Sequence, residues 1–384
     1  MDSLTQLTLG AAVGEAVAGR QAGWKAPVWG AALGTLPDLD VLANPFLTEA
    51  QSLVFHRSLT HSLLFAIVMA PLVGWALRRL HGTDVQWSRW AMLTGTVLLT
   101  HIGLDCLTSY GTQIFWPFSR YPVILATIFI IDPLYTVPLA LGLLLGLRWT
   151  PTARARRLAN YAGLAVSSAY LLVTVLNKVH VNQVFETALD RQGYETTQVL
   201  TKPTPFNNLL WTAIAESRDG FYIGQYSLLD RANAPVDFRY VPKRHDLLGD
   251  AAHSTEVKRL QWFSRGYYAV RKSPEGTLRI VDLRFGRSDL GLTNDGSYIF
   301  SFELIMGEDG RVNRIRRQEP RVQLTATLLR RFVDRIRGQT PNQAQHSPAG
   351  SARALNGSNM ETIESALTLP SPSRYLWKDK FAFK

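Results

Sequence analysis

The chain has 384 residues, of which 46% are hydrophobic and 18% are charged, and its net charge is +11. The mean hydropathy is −0.01, but 20 of the first 180 residues are charged against 51 of the last 204. This uneven distribution of charged residues excludes a single soluble domain, a disordered chain and a collagen-like chain. The single cysteine excludes an intramolecular disulfide and a cysteine-based zinc site. The excess of arginine is typical of membrane topology signals and not of nucleic-acid binding.

The first part of the chain predicts a membrane bundle of about six helical segments. The first two segments are rich in glycine and alanine, which allows close helix packing within a membrane. They are shorter than the ~20 residues of a full span, so they are either re-entrant helices or spans that flanking residues complete. Asp132 and Pro133 together predict a helix start. The predicted segments are 7–19, 26–36, 62–80, 90–107, 133–148 and 158–178.

Positively charged residues orient this predicted bundle. They are concentrated in three loops, 20–25, 78–89 and 148–157, which fall on the same side if six segments alternate. The positive-inside rule makes that side cytoplasmic. The N-terminus, the remaining loops and everything after Lys178 are then predicted on the outer side.

The second half of the chain predicts an extramembrane α+β domain. Residues 266–286 and 298–317 have strand-like patterns on both sides of a glycine-containing turn, which predicts two β-hairpins. Residues 321–337 have apolar side chains on one helical face, which predicts an amphipathic helix that packs on the hairpins or lies on lipid. The predicted domains are a transmembrane metal-site domain (1–179), the extramembrane α+β domain (180–337) and a tail rich in polar residues and predicted to be disordered (338–384).

Histidine and aspartate are concentrated in three stretches at the outer ends of the predicted helices. The stretches are GTLPDLD (34–40), HRSLTHS (56–62) and THIGLDCLTSYG (100–111). Both side chains bind zinc and other divalent metals. The His and Asp of the third stretch are four positions apart, so a helix directs both the same way. The candidate metal ligands are Asp38, Asp40, His56, His61, His101 and Asp105.

Each stretch also has a structural interpretation. Aspartates of the first stretch suit a helix end or a turn, and His56 and Arg57 suit a position at the membrane interface with their polar ends in water. His101 and Asp105 suit a simple hydrogen-bonded pair. Asp132 is either a helix N-cap or a general base, and Glu15 lies in an apolar helix and needs a partner. Ionisable groups at membrane depth are costly and are usually functional or paired. Three such stretches at one membrane level therefore favour a shared site.

The three stretches resemble those of the YdjM-type family of inner-membrane-bound, metal-dependent hydrolases. That family has a PDxDH-like stretch, then HRxxTHS, then a His-x3-Asp helix followed by Thr and a Trp-Pro pair. The matching residues are Pro37–Asp40, His56–Ser62, His101–Asp105, Thr108 and Trp116-Pro117. The resemblance covers about residues 1–150 and implies a multi-pass protein of the inner membrane.

This chain also departs from the family pattern. The family often has histidine at the positions of Gln6 and Val41, so two potential ligands are replaced here. The resemblance implies metal chemistry and no particular substrate, and it implies nothing about the second half of the chain.

The predicted function is metal-dependent hydrolysis at the outer membrane surface, on an ester or phosphoester of a lipid-like substrate. A divalent ion, with zinc preferred, would be bound by His56, His61, His101 and Asp105. Asp38 and Asp40 would bind a second ion or support the first. The general base would be Asp132, Asp40 or Glu15, and Arg57 would hold an anionic group of the substrate.

The alternative is a non-enzymatic membrane protein. Its His/Asp cluster would be structural or would form an ion path, and its outer domain would bind a partner. Membrane lipids are the expected partners in either case, and nucleic acid is not expected. The sequence leaves the oligomeric state open.

Overall fold

The computed structural model describes residues 1–339, except 83, 233, 274, 294–295, 308–311 and 321–324. A helical N-terminal region is followed by two four-stranded antiparallel sheets. The helices of the N-terminal region are α1 (Ser3–Ala22), α2 (Lys25–Thr35), α3 (Glu49–Phe55), α4 (Leu63–His81), α5 (Trp87–Cys106), α6 (Pro133–Gly146) and α7 (Arg154–Arg191). The predicted tail falls outside the described residues from residue 340 onwards.

The helix starts follow from local capping. Asp2 accepts a hydrogen bond from the backbone N–H of Thr5 at 3.0 Å, so α1 begins at Ser3, earlier than the predicted segment. Asp132 and Pro133 start α6 as predicted. The first turn of α4 is capped by Ser62, whose hydroxyl accepts from the N–H of Phe65.

Helices α1 and α2 pack backbone against backbone. A Cβ added at Gly30 would lie 2.1 Å from the carbonyl oxygen of Gly10, which leaves no room for any side chain there. Gly34 is similarly close to Gln6, because a Cβ there would lie 2.6 Å from its carbonyl oxygen. The beginning of α1 is thereby held beside the end of α2, where the first motif stretch begins.

Among the described residues, two helices are long and apolar enough to cross a membrane, α4 and α7, and α6 is a shorter apolar helix. All six predicted segments are helical, and that these helices cross a membrane stays a prediction. The prediction ended the last segment too early. Helix α7 continues to Arg191 because Val181, Phe185 and Leu189 are buried in a core with the first sheet.

The basic loops meet at one end of the bundle. Arg156 donates to both carboxylate oxygens of Glu15, at 2.6 and 2.7 Å, in a buried ion pair. Arg89 reaches the carbonyl oxygen of Val17 at 3.4 Å. Glu15, for which the sequence identified no partner, therefore has its charge neutralised at the end of α1 away from the motif stretches.

The second half of the chain forms a two-sheet sandwich. The second sheet contains the two predicted hairpins, whereas the sequence interpretation did not identify the first sheet. In each sheet the strands lie side by side in the order in which they occur in the chain. The first sheet comprises β1 (Gln198–Pro203), β2 (Leu210–Glu216), β3 (Gly220–Ser227) and β4 (Phe238–Pro242), and the second comprises β5 (Tyr268–Lys272), β6 (Leu278–Arg287), β7 (Tyr298–Met306) and β8 (Val312–Gln318).

Two further helices, α8 (Thr255–Ser264) and α9 (Ala326–Ile336), accompany the sheets. The predicted amphipathic helix corresponds to α9, although residues 321–324 of that prediction lie outside the described part of the chain. Most of the predicted turn at 307–310 also lies outside it.

The sandwich contacts the motif end of the bundle. Ala50 and Leu53 of α3 are buried in one core with Leu260 and Phe263 of α8. Arg284 of β6 is fully buried and reaches the carbonyl oxygens of Ser109 and Tyr110, in the third motif stretch, at 3.4 and 3.3 Å. The α+β domain therefore packs directly on the loops that carry the motifs.

Candidate metal centre

Four side chains from three separate parts of the chain converge at the end of the bundle. One ligand atom from each of Asp38, His61, His101 and Asp105 lies within 4.8 Å of every other. The two imidazole Nε2 atoms are 3.2 Å apart, and the Oδ2 atom of Asp105 is 3.3 Å from the His61 Nε2. Three of these residues are fully buried, and Asp38 is partly exposed. The cluster therefore has one side that is less deeply buried, at Asp38.

The tautomer of each histidine follows from its second ring nitrogen. The Nδ1 of His101 lies 2.7 Å from the carbonyl oxygen of Gly34, which only accepts, so this nitrogen carries the hydrogen. The Nδ1 of His61 lies 3.0 Å from the hydroxyl oxygen of Thr60, and that hydroxyl donates to Asp40. Thr60 therefore accepts from His61. In the neutral imidazoles both Nε2 atoms direct lone pairs into the cluster, as in histidines that bind metals.

Asp105 adds an unsatisfied acceptor to these lone pairs. Its Oδ1 atom accepts from the Gln6 amide at 3.1 Å and from the amino group of Met1. Its Oδ2 atom is buried and faces the two imidazoles. Within the described residues it has an ion-pair contact with the Nε of Arg57 at 3.2 Å but accepts no hydrogen bond. A buried carboxylate oxygen that accepts no hydrogen bond is costly, and a further cation or a proton on its imidazole side would lower that cost.

The electrostatic environment of His61 also favours a cation or a proton in the cluster. Burial lowers the pKa of His61, but hydrogen bonds and negative charge from Asp105 and Asp38 outweigh burial and raise it overall. Arg57 and the Met1 amino group supply positive charge to Asp105, and a positive charge between the two imidazole nitrogens and the two carboxylate oxygens would stabilise their close approach further. A divalent metal ion or a shared proton would supply that charge, and the donor set fits a divalent ion.

His56 lies beside the cluster and not in it. Its Nδ1 is 2.7 Å from the Oδ1 of Asp40, and its ring makes an edge contact with His61 at a centroid distance of 5.7 Å. The sequence analysis grouped His56 with the ligands, whereas the structure has Asp38 among the four converging residues. Burial by itself would raise the pKa of Asp40. The hydrogen bond and the charge of His56 outweigh that effect, so the pKa of Asp40 lies below its usual value.

The other oxygen of Asp40 is also engaged. It accepts from the backbone N–H of Arg57 at 3.0 Å and from the hydroxyl of Thr60 at 3.2 Å. Arg57 has a φ of +62°, a conformation that is unfavourable for a side chain with a Cβ and that the hydrogen bond to Asp40 helps to hold. Asp40 therefore links His56, Arg57 and Thr60, and through Thr60 it reaches His61.

The guanidinium of Arg57 is buried and already has partners. Its Nε is 3.2 Å from the Oδ2 of Asp105, its Nη1 donates to Thr108 at 3.0 Å, and its centre lies 4.9 Å from the ring centroid of Tyr110. In this arrangement Arg57 faces a carboxylate of the cluster. Its predicted contact with an anionic substrate group would require these partners to rearrange.

Asp132 lies in a different environment. Its Oδ1 accepts from the N–H of Leu134 at 3.0 Å, which caps α6, and its Oδ2 accepts from the hydroxyl of Tyr170 at 2.8 Å. Burial raises its pKa. Its hydrogen bonds in the described part of the chain are all with α6 and α7, so the structure does not bring it into the cluster.

Several supporting groups were not identified from the sequence. The Gly34 carbonyl has no sequence signal, because any residue supplies a carbonyl. Thr60 lies inside HRSLTHS and was detectable, and the position of Gln6 was noted as a departure from the family pattern. Arg284 is far from the motifs in the chain. It pairs with Asp282 at 2.7 Å and reaches the loop of Tyr110, on whose ring Arg57 lies.

Exposed apolar side chains follow the partly exposed ligand Asp38. Leu42 is 70% exposed and Phe46 is 87% exposed in the 3-10 segment Pro37–Phe46. Leu39 and Leu59 are exposed in the same region. The less buried side of the cluster is therefore bordered by apolar surface.

Comparison with known proteins gives two matches. Residues 1–181, slightly under half of the chain, match the family model described as YdjM inner membrane protein, which confirms the resemblance inferred from the motifs. The chain is also similar to the inner membrane protein YbcI of Escherichia coli (strain K12), with 37% identity over 98 residues. That alignment covers 23% of this chain and 52% of the relative, so the chain spans about half the length of this curated protein. No solved structure matches the chain.

Proposed function

We propose that this chain, whose residues 1–181 belong to the YdjM inner membrane protein family, is a metal-dependent hydrolase that acts at the membrane surface. The substrate would be an ester or phosphoester of a lipid-like molecule. The proposal is carried by one observation: two imidazole lone pairs and two carboxylate oxygens converge, and no described residue donates a hydrogen bond to the facing oxygen of Asp105. The names of the family and of the relative support an inner-membrane location.

His61, His101, Asp105 and Asp38 would hold the divalent ion, and zinc is the ion that we propose. Two imidazoles and two carboxylates are among the donor sets that suit this metal. When bound, a divalent ion supplies Lewis acidity that polarises a carbonyl or phosphoryl oxygen and makes water more acidic. Thr60 and the Gly34 carbonyl would keep both Nε2 atoms free for the ion.

His56 and Asp40 would form the general base. Asp40 accepts from the Nδ1 side of His56, so the opposite nitrogen would be free to take a proton from the attacking water. The negative charge of Asp40 would stabilise the imidazolium that forms. Arg57 would hold Asp105 in position, in addition to the contact with an anionic substrate predicted from the sequence.

The exposed apolar side chains beside Asp38 support a lipid-like substrate. Leu42 and Phe46 would contact acyl chains at the membrane surface while the polar linkage approaches the cluster. Membrane lipids are the proposed partners. We also propose that this face and the α+β domain are on the outer, periplasmic side.

A second candidate function is favoured by the number of ligands. Four protein ligands fill the coordination of a structural zinc site, whereas catalytic sites usually have about three and an open position. The cluster would then stabilise the bundle without catalysis, and the outer domain would bind a partner.

Metal analysis and activity assays on the detergent-purified full chain distinguish these functions. We expect about one divalent ion per chain in the wild type and loss of that ion in His101→Ala. Hydrolysis of p-nitrophenyl acyl esters or phosphodiesters should disappear with the metal on chelation and return when zinc is added. His180→Ala is the matched control, because this exposed histidine of α7 should leave metal content and hydrolysis unchanged.

The two candidates predict different results for His56→Gln. The hydrolase requires that this variant retains the metal and loses at least about tenfold in kcat, which is within the usual contribution of a general base. Bound metal with no hydrolysis in the wild type would support the structural function. A wild-type protein without metal would overturn both.

A further inference from the structure

A cavity of about 350 Å³ lies between the two sheets of the second half of the chain. Its walls include β1, β2 and β3 of the first sheet, β6 of the second, and the segment that follows β6. This volume lies within the range of small-molecule sites. None of the four clustered metal ligands lines it, so the cavity is separate from the candidate metal centre.

A row of polar residues crosses the first sheet where the cavity begins. Lys202 of β1 is directly opposite Thr212 of β2, and Thr212 is opposite Gln225 of β3, so all three face the same side. The next row on this face is apolar. It contains Leu200, Ile214 and Ile223, which pack in the core between the sheets. Polar side chains thus replace the apolar row at one end of the sandwich.

The charge of Lys202 is not balanced by a partner in this row. It is 6% exposed, and it makes no hydrogen bond or ion pair with any described residue. Asp282 is the carboxylate whose charge acts on the pKa of Lys202, but both oxygens of Asp282 accept hydrogen bonds from Arg284. Burial lowers the pKa of Lys202 to about 8, so the ammonium group is still largely charged at neutral pH. An uncompensated buried charge is costly and therefore indicates a missing anion.

Other cationic side chains line the same cavity. Arg239 likewise has no hydrogen-bond or ion-pair partner among the described residues. Arg287 and Arg335 also face the cavity, but they are paired with Asp289 and Asp230 respectively. Apolar side chains of β6 and of the following segment, including Leu283 and Leu292, form the rest of the wall. Asp237 is the one carboxylate among the described lining residues, so the lining combines an excess of positive charge with an apolar surface.

We propose that this cavity binds a small amphiphile with a phosphate group, the phosphate at Lys202 and Arg239 and the apolar part against the second sheet. Lysine and arginine together suit a group with more than one negative charge. The apolar wall distinguishes this ligand from free phosphate. The site is independent of the metal cluster, so it stands or falls separately from the proposed hydrolase activity.

Binding to the detergent-purified full chain tests the proposal, with hexyl phosphate, inorganic phosphate and hexanol as probes. We expect hexyl phosphate to bind at least about tenfold more tightly than inorganic phosphate, because the cavity also buries the alkyl chain. Hexanol should not bind measurably. Equal binding of the two phosphates, or binding of neither, would overturn the proposal.

Lys202→Met separates a binding role from a structural one. Loss of the uncompensated charge should raise the melting temperature of the ligand-free protein and weaken hexyl phosphate binding at least about tenfold. A lower melting temperature with unchanged binding would show that Lys202 is structural and would overturn the proposal. Lys272→Met, at an exposed lysine of β5, is the control and should change neither quantity.

A second variant keeps the test informative if Lys202→Met does not fold. Arg239 is half-buried, so Arg239→Gln should be tolerated and should also weaken hexyl phosphate binding. Wild-type affinity in Arg239→Gln would contradict the proposed position of the phosphate. Chelation of metal should leave the affinity for hexyl phosphate unchanged.

Discussion

The residues around the candidate metal cluster form a connected hydrogen-bond chain. Asp40 accepts from His56, from the N–H of Arg57 and from Thr60, and Thr60 in turn accepts from His61. Each of these bonds fixes a ring or a backbone segment, so the lone pairs in the cluster are directed before any ligand binds. Preorganisation of this kind is what a metal site needs from its supporting residues.

Asp132 provides a test at the residue scale, because the sequence left it as either a helix cap or a general base. We expect Asp132→Ala to lower the free energy of unfolding by about 1–3 kcal/mol, from loss of the α6 cap and of the Tyr170 hydrogen bond. Metal content and turnover per folded molecule should stay at wild-type values. Thermal unfolding, metal analysis and kinetics on the same preparation check this.

Tyr170→Phe is the partial control, since it removes one of the two interactions and should cost less stability. A fall in turnover of tenfold or more in Asp132→Ala, with metal content and folding intact, would instead establish Asp132 as the base. His56→Gln would then be expected to retain activity.

At the scale of elements, the contact between α1 and α2 determines the geometry of the cluster. The carbonyl of Gly34 fixes His101, and the amide of Gln6 contacts Asp105. Both depend on how closely the two helices approach, and that distance is set by glycines facing each other. The glycine pairs therefore affect the site although they lie outside it.

Gly30→Ala tests this dependence. The new Cβ would lie 2.1 Å from the Gly10 carbonyl oxygen, so the helices must separate, at a cost of about 3 kcal/mol. We expect loss of stability together with loss of bound metal. Gly103→Ala is the matched control, because a Cβ there meets nothing within 4 Å and replaces a helical glycine close to the site. It should be neutral or stabilising by up to about 1 kcal/mol; metal loss in Gly103→Ala alone would contradict the argument.

At the scale of the whole molecule, the basic loops and the motif stretches lie at opposite ends of the bundle. The ion pair between Arg156 and Glu15 belongs to the basic end, whereas Gln6 and Gly34 belong to the motif end. Helix α7 begins at the basic end and continues beyond the motif end into the sandwich. The sandwich must therefore be on the same side of a membrane as the cluster if the bundle spans it.

The predicted topology has this side outside and the loops 20–25, 78–89 and 148–157 inside. Reporter fusions check it, with the fusion joined near residue 84 for the inner side and after residue 180 for the outer side. We expect a cytoplasmic signal from the first and a periplasmic signal from the second, because the arginine-rich loops stay on the cytoplasmic side. A cytoplasmic signal at 180 would reverse both the topology and the side of the cluster.

We expect the second half of the chain to fold without the helical bundle. A fragment of residues 181–337 retains Val181, Phe185 and Leu189 against the first sheet, so it should be soluble with strand-rich circular dichroism. It lacks Ala50 and Leu53 of α3, so its melting temperature should be below that of the same domain in the full chain. A fragment of 192–337 also loses the end of α7 and should unfold; equal stability of both fragments would disprove the role of that helix.

The sequence by itself determined the features that depend on local pattern. The capping pair Asp132 and Pro133 fixed the start of α6, turn residues identified the hairpins of the second sheet, and the uneven charge separated the bundle from the α+β half. The motif stretches identified His61, His101, Asp105 and Asp38, because metal chemistry restricts the residue types. The four-residue spacing of His101 and Asp105 gave their common direction on α5.

Only the tertiary structure decided which candidates meet. Asp38 and not His56 joins the other three, because the turn at Arg57 directs His56 to Asp40. The Gly34 carbonyl has no sequence signature, and Arg284 and Glu15 find partners more than a hundred residues away. Such contacts arise from the packing of surfaces that are distant in the chain. Local sequence pattern therefore restricts the candidates, whereas three-dimensional packing selects the partners.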